Sequence, residues 1–167
     1  MNTLGKHLPQ KLRMTSSGFT LIELMVTIAV LAIIVGMAAP SIMTSIAQNQ
    51  IKATSTLIQT SISRAKAEST ILRSDITWSY INTGNRITLS SKGNTIASYD
   101  LDSNSSLAFT PSTVTTLMIK KEGIISTTTG GTIDLAIDLS DSRVSTTTQR
   151  VRINTKRAFE CSGVTCQ

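Results

Sequence analysis

The 167-residue chain contains few of the side chains that enzymes most often use for catalysis. It has one histidine (His7), two cysteines and three prolines, and only 4% of its residues are aromatic. Serines and threonines are abundant, but a nucleophilic hydroxyl needs a neighbouring base, and His7 is the only imidazole present. No glycine-rich phosphate loop and no nucleophile elbow occur. We therefore predict that the protein is not an enzyme and needs no cofactor.

Four residues separate the only two cysteines, Cys161 and Cys166, near the C-terminus. A zinc site needs three or four protein ligands, so this pair alone does not supply one. In an exported protein, an isolated pair of this kind favours a disulfide bond. We therefore predict a Cys161–Cys166 disulfide in the tail and no metal centre.

Residues 100–104 carry oxygen-bearing side chains in the alternating pattern that begins an EF-hand calcium loop. Such a loop also needs glycine at its sixth position and glutamate at its twelfth, where this chain has Ser105 and Pro111. A solvated turn, in which aspartates accept bonds from nearby backbone N–H groups, is the favoured interpretation. The sequence leaves calcium binding near Asp100 and Asp102 open.

Although histidine, cysteine, proline and aromatic residues are few, the chain has one long apolar run. Residues 19–39 are almost wholly apolar, and the polar exceptions are Thr20, Glu23 and Thr27. A helix of this length crosses about 30 Å of hydrocarbon, so the run predicts a membrane span. A carboxylate inside such a span is costly, which marks Glu23 as a functional residue. The alternatives are an ordinary signal peptide cut near residues 36–38 and a permanent anchor.

The residues that begin this run, Gly-Phe-Thr-Leu-Ile-Glu-Leu at positions 18–24, closely resemble the type III signal of type IV pilins and type II secretion pseudopilins. The resemblance implies that prepilin peptidase cuts between Gly18 and Phe19 and that the new Phe19 amine is methylated. It also implies that Glu23 pairs with the Phe19 amine of a neighbouring subunit, because an unpaired carboxylate in an apolar filament core is costly. Pro40 occupies a position where pilin helices often carry a kinking proline.

Three basic residues, Lys6, Lys11 and Arg13, lie before the expected cut, in a leader peptide of residues 1–18. Their charge fits a cytoplasmic location of that end of the chain. Without them, 13 of the 16 basic residues remain beside 10 acidic ones, so the mature chain has a net charge of +3 instead of +6. The leader charges therefore say little about the partner of the mature domain.

The helix is predicted to continue beyond the span of residues 19–40 into an amphipathic segment of residues 41–75. Apolar residues recur there at spacings near three and four, as is typical of an amphipathic helix. The predicted apolar stripe comprises Ile51, Leu57, Ile58, Ile62, Ala65 and Leu72. We expect the helix to end near residues 73–75 and a sheet to cover the stripe, because the sustained heptads of a free coiled coil are absent.

From residue 76 the apolar period changes to two, which predicts strands separated by turns rich in glycine and asparagine. We predict seven strands, at residues 76–81, 86–89, 95–99, 114–119, 123–126, 132–139 and 149–154. The predicted fold class is α+β. It consists of a long N-terminal helix packed on an antiparallel β-sheet or β-sandwich domain of residues 76–167.

The last predicted strand carries alternating arginines. In a strand, Val151 and Ile153 would face the core and the two neighbouring arginines would face outward. Cations in and around this strand form a candidate site for weak, salt-sensitive and sequence-independent contacts with DNA phosphates: Arg143, Arg150, Arg152, Lys156 and Arg157. The alternatives are a subunit contact or a solvated edge strand that charge protects against aggregation.

Three strand aromatics, Trp78, Tyr80 and Tyr99, are the candidates for stacking on bases. Burial in the core is the commoner location of aromatic residues in strands.

The long helix, the strands that follow it and the late Arg-x-Arg strand resemble the GspH/FimT family of minor pilins and pseudopilins. In the FimT branch, a late Gly-Arg-x-Arg segment is associated with DNA binding during natural transformation. Here Arg150 and Arg152 match the arginines, but Gln149 replaces the glycine. The resemblance implies a minor pilin of a type IV pilus that is first anchored in the bacterial inner membrane and then joins the filament.

The partners implied by this resemblance are other pilin subunits, prepilin peptidase, the inner membrane and non-specific DNA. A minor pseudopilin of a type II secretion system is the first alternative function, since it shares every N-terminal feature. An exported hydrolase with an ordinary signal peptide is the second, and it would require a mature N-terminus near Ala39.

Overall fold

The computed structural model of the protein describes residues 18–161, apart from the side chains of residues 145–148. Within these residues the chain forms one α-helix, one short 3-10 turn and nine strands. The chain has two compact units, of which the first ends at Ala39 and the second begins at Pro40. The helix starts in the first unit, and all nine strands belong to the second.

Helix α1 covers Leu21–Ile71 and contains Pro40. Residues 18–39 are all exposed in this single chain, and their part of α1 is long and apolar enough to cross a membrane. The helix ends slightly earlier than expected, because Arg73 adopts a left-handed conformation with φ of 47°. The Ser74 N–H then donates to Ser69 O at 3.2 Å, which is the closing bond of a Schellman motif.

The strands form two antiparallel sheets, which confirms the predicted α+β fold class. The first sheet has the order β3-β2-β1-β5-β6, and the second has the order β4-β7-β8-β9. The strands are β1 Ile76–Ile81, β2 Arg86–Ser91, β3 Asn94–Asp100, β4 Ser105–Thr110, β5 Thr116–Ile119, β6 Ile125–Thr127, β7 Asp134–Asp141, β8 Val144–Asn154 and β9 Ala158–Cys161.

The hydrophobic core joins both sheets to one face of α1. The alternation predicted for the sixth strand, residues 132–139, is present in β7, where Leu135, Ile137 and Leu139 are buried. Residues from α1, β1, β2, β5 and β8 complete the same cluster, including Ile58, Trp78, Leu89, Leu117 and Val151. The core is therefore shared by the two sheets and the helix.

The buried face of α1 differs from the predicted apolar stripe in having a large polar component. Leu72 lies beyond the helix end and is exposed, whereas Thr54, Ser55, Ser61 and Ser69 are buried. Each of these short side chains can bond within its own helix or across to a strand, so burial costs little. Apolar periodicity alone could not predict these serines and threonines.

The buried hydroxyls connect α1 to both sheets. Trp78 Nε1 on β1 donates to Ser61 Oγ at 2.8 Å, and the Ser61 hydroxyl donates to Ile58 O at 2.7 Å. Thr54 Oγ1 lies 3.4 Å from Ser105 Oγ on β4. Polar contacts therefore fix the position of the helix against each sheet.

Two strands were not predicted, β4 and β9. Strand β4 does show a period of two, because Ser105 and Phe109 are buried while Ser106 and Ala108 are exposed. Its inward face begins with a serine, which weakened the apolar signal. Strand β9 has only four residues, of which Cys161 is buried. Such a short strand is defined by its pairing with β8 and not by its own pattern.

The turn after β1 ties the first sheet to the loop that leads into the second. Asn85 adopts a left-handed conformation with φ of 43°. Its Nδ2 donates to Asp102 O at 2.5 Å and to Ser105 O at 3.0 Å. Its Oδ1 accepts a bond from the Tyr80 hydroxyl at 2.8 Å. One asparagine thus satisfies two loop carbonyls and fixes the entry into β4.

We predict that Ser61→Ala destabilises the fold by about 1–3 kcal/mol, because it leaves the buried Trp78 indole N–H without its acceptor. Urea unfolding of the full-length protein in detergent would measure this change. The fluorescence of Trp78, the only tryptophan, would report the transition. Thr60→Ala is the matched control, since Thr60 is exposed on the same helix and should change stability by less than about 0.5 kcal/mol. Equal effects of the two substitutions would contradict the proposed role of Ser61.

Candidate functional site

The N-terminal candidate residues lie at the start of α1. Gly18, Phe19 and Thr20 precede the helix, and Glu23 is in its first turn. Thr20 Oγ1 accepts a bond from the Glu23 N–H at 3.3 Å, and Thr20 O accepts one from the Leu24 N–H at 3.2 Å. Thr20 is therefore the N-cap residue of α1.

The capping role of Thr20 was missed in the sequence, although a signal for it was present. Thr20 and Glu23 have the Thr-x-x-Glu spacing of a capping box. A carboxylate in the first turn also lies near the positive end of the helix dipole. The Thr-Leu-Ile-Glu segment therefore begins the helix and positions Glu23 at the same time.

The arginines of strand β8 face away from the core, as predicted. Each of them forms an ion pair with an aspartate of β7. Val151 and Ile153 are fully buried, and the arginines lie on the other face. Arg150 Nε lies 2.6 Å from Asp138 Oδ1, and its second bond to that carboxylate is 2.9 Å long. Their residues are direct partners in the β7–β8 ladder. Arg150 therefore forms a two-bond ion pair with the neighbouring strand.

Arg152 also forms a two-bond ion pair with β7, but with Asp134, which lies diagonally across the ladder because the direct partner of Arg152 is Ala136. Its Nε and its terminal nitrogen donate to the two oxygens of Asp134 at 2.8 and 2.7 Å. These hydrogen bonds lower the pKa of the Asp134 carboxyl and raise the pKa of Arg152. Both guanidinium groups thus lie on the outward face as expected, and each uses two of its N–H groups to bind a carboxylate of β7.

Arg143 is also part of a local ion-pair network. It lies in the turn between β7 and β8, where it donates to both oxygens of the buried Asp141 at 2.8 and 2.6 Å. Its guanidinium is also 3.8 Å from Asp102 Oδ1 in the loop before β4. The Ser142 N–H donates to Asn104 O at 3.0 Å in the same place. Arg143 therefore holds the loop of residues 101–104 against the β7–β8 turn.

Lys156 and Arg157 occupy the turn between β8 and β9 and are exposed. Asn154 Oδ1 accepts bonds from both of their backbone N–H groups, at 3.0 and 2.8 Å. The Arg157 guanidinium lies 5.2 Å from the centre of the Phe159 ring. These two cations are therefore held on a structured turn, and neither has a carboxylate within 4 Å in residues 18–161.

The possible calcium loop is an aspartate turn. Asp102 Oδ1 accepts bonds from the Asn104 N–H and from Asn104 Nδ2, at 2.8 and 3.0 Å. Asp100 Oδ1 pairs with Arg86 Nε at 2.5 Å. Among residues 18–161 no group of three or more His, Cys, Asp or Glu side chains is arranged to hold a metal ion. Asp102 thus makes the local backbone bond of the favoured turn interpretation, whereas Asp100 is the last residue of β3.

The three aromatic candidates for base stacking are engaged within the domain. Trp78 is fully buried, and the Tyr80 ring centre lies 5.4 Å from that of Phe109. The Tyr99 hydroxyl accepts a bond from Arg64 at 3.2 Å. Partial burial raises the pKa of Tyr80. All three aromatic side chains therefore make contacts within the domain.

The cysteine prediction is only partly within the described chain. Cys161 ends β9, is 6% exposed and takes part in a disulfide bond. Cys166 lies outside the described residues, as does the leader segment before Gly18. The pairing of Cys161 with Cys166 therefore stays a prediction.

Comparison with known proteins relates these features to a protein class. Residues 13–39 match the family model described as the prokaryotic N-terminal methylation motif. Among solved structures, the type IV minor pilin FimU of Pseudomonas aeruginosa (strain PAO1) is similar, with a TM-score of 0.56 and 10% sequence identity. The alignment covers 69% of this chain and 90% of that one.

The minor pseudopilin EpsH from the type 2 secretion system of Vibrio cholerae is also similar, with a TM-score of 0.50 and 11% identity. That alignment covers 68% of this chain and 97% of the other. No curated protein matches the chain by sequence. The chain thus carries the N-terminal methylation motif and has the type IV pilin-like α+β fold, the fold of these minor pilins and pseudopilins.

We predict an acid-sensitive contribution to stability from the Arg143–Asp141 pair. Hydrogen bonds from Arg143 lower the pKa of Asp141 below its unfolded value of about 3.9. The ionised carboxylate therefore stabilises the fold above about pH 4, and this contribution is lost as the pH falls through the lower folded pKa.

In Asp141→Asn, urea unfolding followed by fluorescence should show a lower stability at neutral pH and a shallower loss below about pH 4. Glu122→Gln is the matched control, because Glu122 is exposed and has no cation within 4 Å in the described part of the chain. An unchanged acid slope in Asp141→Asn would contradict the assignment.

Proposed function

We propose that the protein is a minor pilin, an assembly subunit of a type IV pilus. The observation that carries this proposal is the methylation motif at residues 13–39 on the apolar start of α1. Prepilin peptidase cuts the precursor after Gly18, and the Phe19 amine is then methylated. The apolar segment holds the subunit in the inner membrane before it joins the filament, and other pilin subunits are its partners there.

Glu23 is the residue on which assembly depends in this proposal. It is the only charged side chain between residues 18 and 39, and every residue around it is exposed in the isolated chain. Its own helix dipole offsets only part of the cost of placing a carboxylate among apolar side chains. The Phe19 amine of a neighbouring subunit supplies the missing positive charge and thereby fixes the register between the two helices.

A minor pseudopilin of a type II secretion system is the second candidate, and the similarity to EpsH favours it. It requires the same cleavage, the same methylation and the same Glu23 contact. The similarity to FimU supports the pilus. Deletion of the gene distinguishes the two, since a pilin deletion removes surface filaments and a pseudopilin deletion stops secretion of folded proteins.

We also propose that the second unit binds nucleic acid weakly and without sequence preference. The observation in favour is an imbalance of charge. In residues 40–161, eight lysines and arginines have no carboxylate within 4 Å: Lys52, Lys66, Arg73, Lys92, Lys120, Lys121, Lys156 and Arg157. Such cations attract phosphates by a salt-dependent, sequence-independent interaction.

We predict that the mature protein begins with N-methylated Phe19. N-terminal sequencing or mass spectrometry of protein isolated from cells would measure this directly. A mature N-terminus near Ala39 would instead indicate an ordinary signal peptide and would contradict the proposed function.

We further predict that Glu23→Ala lowers filament assembly by about tenfold or more and leaves cleavage intact, because the neighbouring amine loses its buried partner. Immunoblotting of sheared filaments against cell-associated protein measures assembly. Glu68→Ala is the matched control, since Glu68 is the only other carboxylate of α1. Normal assembly of the Glu23→Ala protein would refute the pairing role.

A further inference from the structure

Three separate segments of the second unit bring five cations to one place. Lys66 lies on α1, Lys120 and Lys121 lie in the β5–β6 turn, and Lys156 and Arg157 lie in the β8–β9 turn. We call these five residues the lysine cluster. Only the two cations of the β8–β9 turn were candidates from sequence, because the other three are distant from them along the chain.

The contacts between these segments are direct. Lys66 Nζ donates to Lys156 O at 2.5 Å, which joins α1 to the β8–β9 turn. A Cβ built on Gly123, in the β5–β6 turn, would lie 3.7 Å from the Lys66 side chain. The Ile125 N–H donates to Thr155 O at 2.9 Å, which joins the two turns to each other. These contacts hold the three segments that carry the cluster next to one another.

The cluster carries an excess of positive charge, in contrast to the arginines of β8. The carboxylates near its segments that have no cationic partner are Glu122 in the β5–β6 turn, Glu160 on β9, and Asp75, whose Oδ1 accepts the Lys121 N–H at 3.0 Å. None of these carboxylates lies within 4 Å of a cationic nitrogen in residues 18–161. Arg143, Arg150 and Arg152, by comparison, are each bonded to an aspartate.

The composition of the cluster favours a phosphate chain over an acidic protein. Protein interfaces have an apolar or aromatic centre, whereas Ile124 is the only exposed large apolar side chain in these turns. Lysines presented on turns, without a recognition helix, are suited to sequence-independent contact with phosphate oxygens. Lys66 uses one ammonium hydrogen for Lys156 O, so two remain for a ligand.

We infer that the lysine cluster, and not the arginine strand, is the surface that holds the phosphate backbone of a nucleic acid. The inference rests on the nucleic-acid binding proposed above and assigns it to particular residues. The five cations contact successive phosphates, while the arginines of β8 remain bonded to β7. Binding is therefore modest in affinity and strongly dependent on salt.

The test uses the full-length protein in detergent and a labelled DNA duplex, with binding measured between about 50 and 200 mM NaCl. For Lys120→Gln/Lys121→Gln we expect the slope of log affinity against log salt to become shallower by about 2, since each lysine contributes about 0.9. Lys52→Gln/Lys92→Gln is the matched control. It removes the same charge from two exposed lysines outside the cluster and should leave the slope nearly unchanged.

A further double variant separates the site from the function. Arg150→Gln/Arg152→Gln should bind DNA like the wild type, with Trp78 fluorescence confirming that it is folded. If this variant loses binding and the Lys120/Lys121 variant does not, the site inference is wrong and nucleic-acid binding stands. Equal losses in the cluster variant and its lysine control also overturn the site. No binding by the wild type at low salt overturns both, and equally salt-sensitive binding of polyglutamate through the cluster would indicate an acidic protein instead.

Discussion

The second unit depends on the packing of one face of α1 against two sheets at once. That face is narrow and is built largely from small side chains, such as Ala47, Ser55, Ser61 and Ala65. Small side chains leave room for large ones from the strands, and Trp78 fills part of that room while its indole N–H bonds to Ser61. Because both sheets pack on this one face, moving the helix away from either sheet would also expose the buried residues of the other sheet.

A second constraint is the way in which the domain distributes its charges. Arginines of the second sheet pair with aspartates that are close in the ladder or turn, as Arg150 does with Asp138 and Arg143 with Asp141. Bidentate geometry suits arginine, because its planar fork matches a carboxylate. Lysines are left to carry most of the uncompensated charge, and the fold gathers several of them near Lys66. The charges of the arginine-rich strand are thus compensated within the sheet, whereas the lysines of the β5–β6 and β8–β9 turns have no carboxylate within 4 Å in residues 18–161.

At the start of α1, the residues that form the first helical turn are also those to which we assign the assembly contact. Thr20 caps α1 through the Glu23 N–H, and the Glu23 carboxylate lies in the first turn. An apolar helix with one carboxylate near its beginning is suited to a membrane before assembly and to a filament core afterwards. In both settings the acid needs a positive partner, which cleavage before Phe19 would provide.

Local sequence determined much of this protein. The apolar run, the Gly-Phe-Thr-Leu-Ile-Glu segment, strand β1 and the alternation in β7 were all predictable, because each depends on residues close together in the chain. Strands β4 and β9, the buried serines of α1 and the partners of the arginines were decided only by tertiary structure. An aspartate twelve residues before Arg150 becomes its neighbour only when β7 and β8 pair, and Lys66 meets Lys156 only when the turn folds back onto α1. Charge compensation is a property of such long-range contacts, so the composition of a strand could suggest a binding surface but could not locate it.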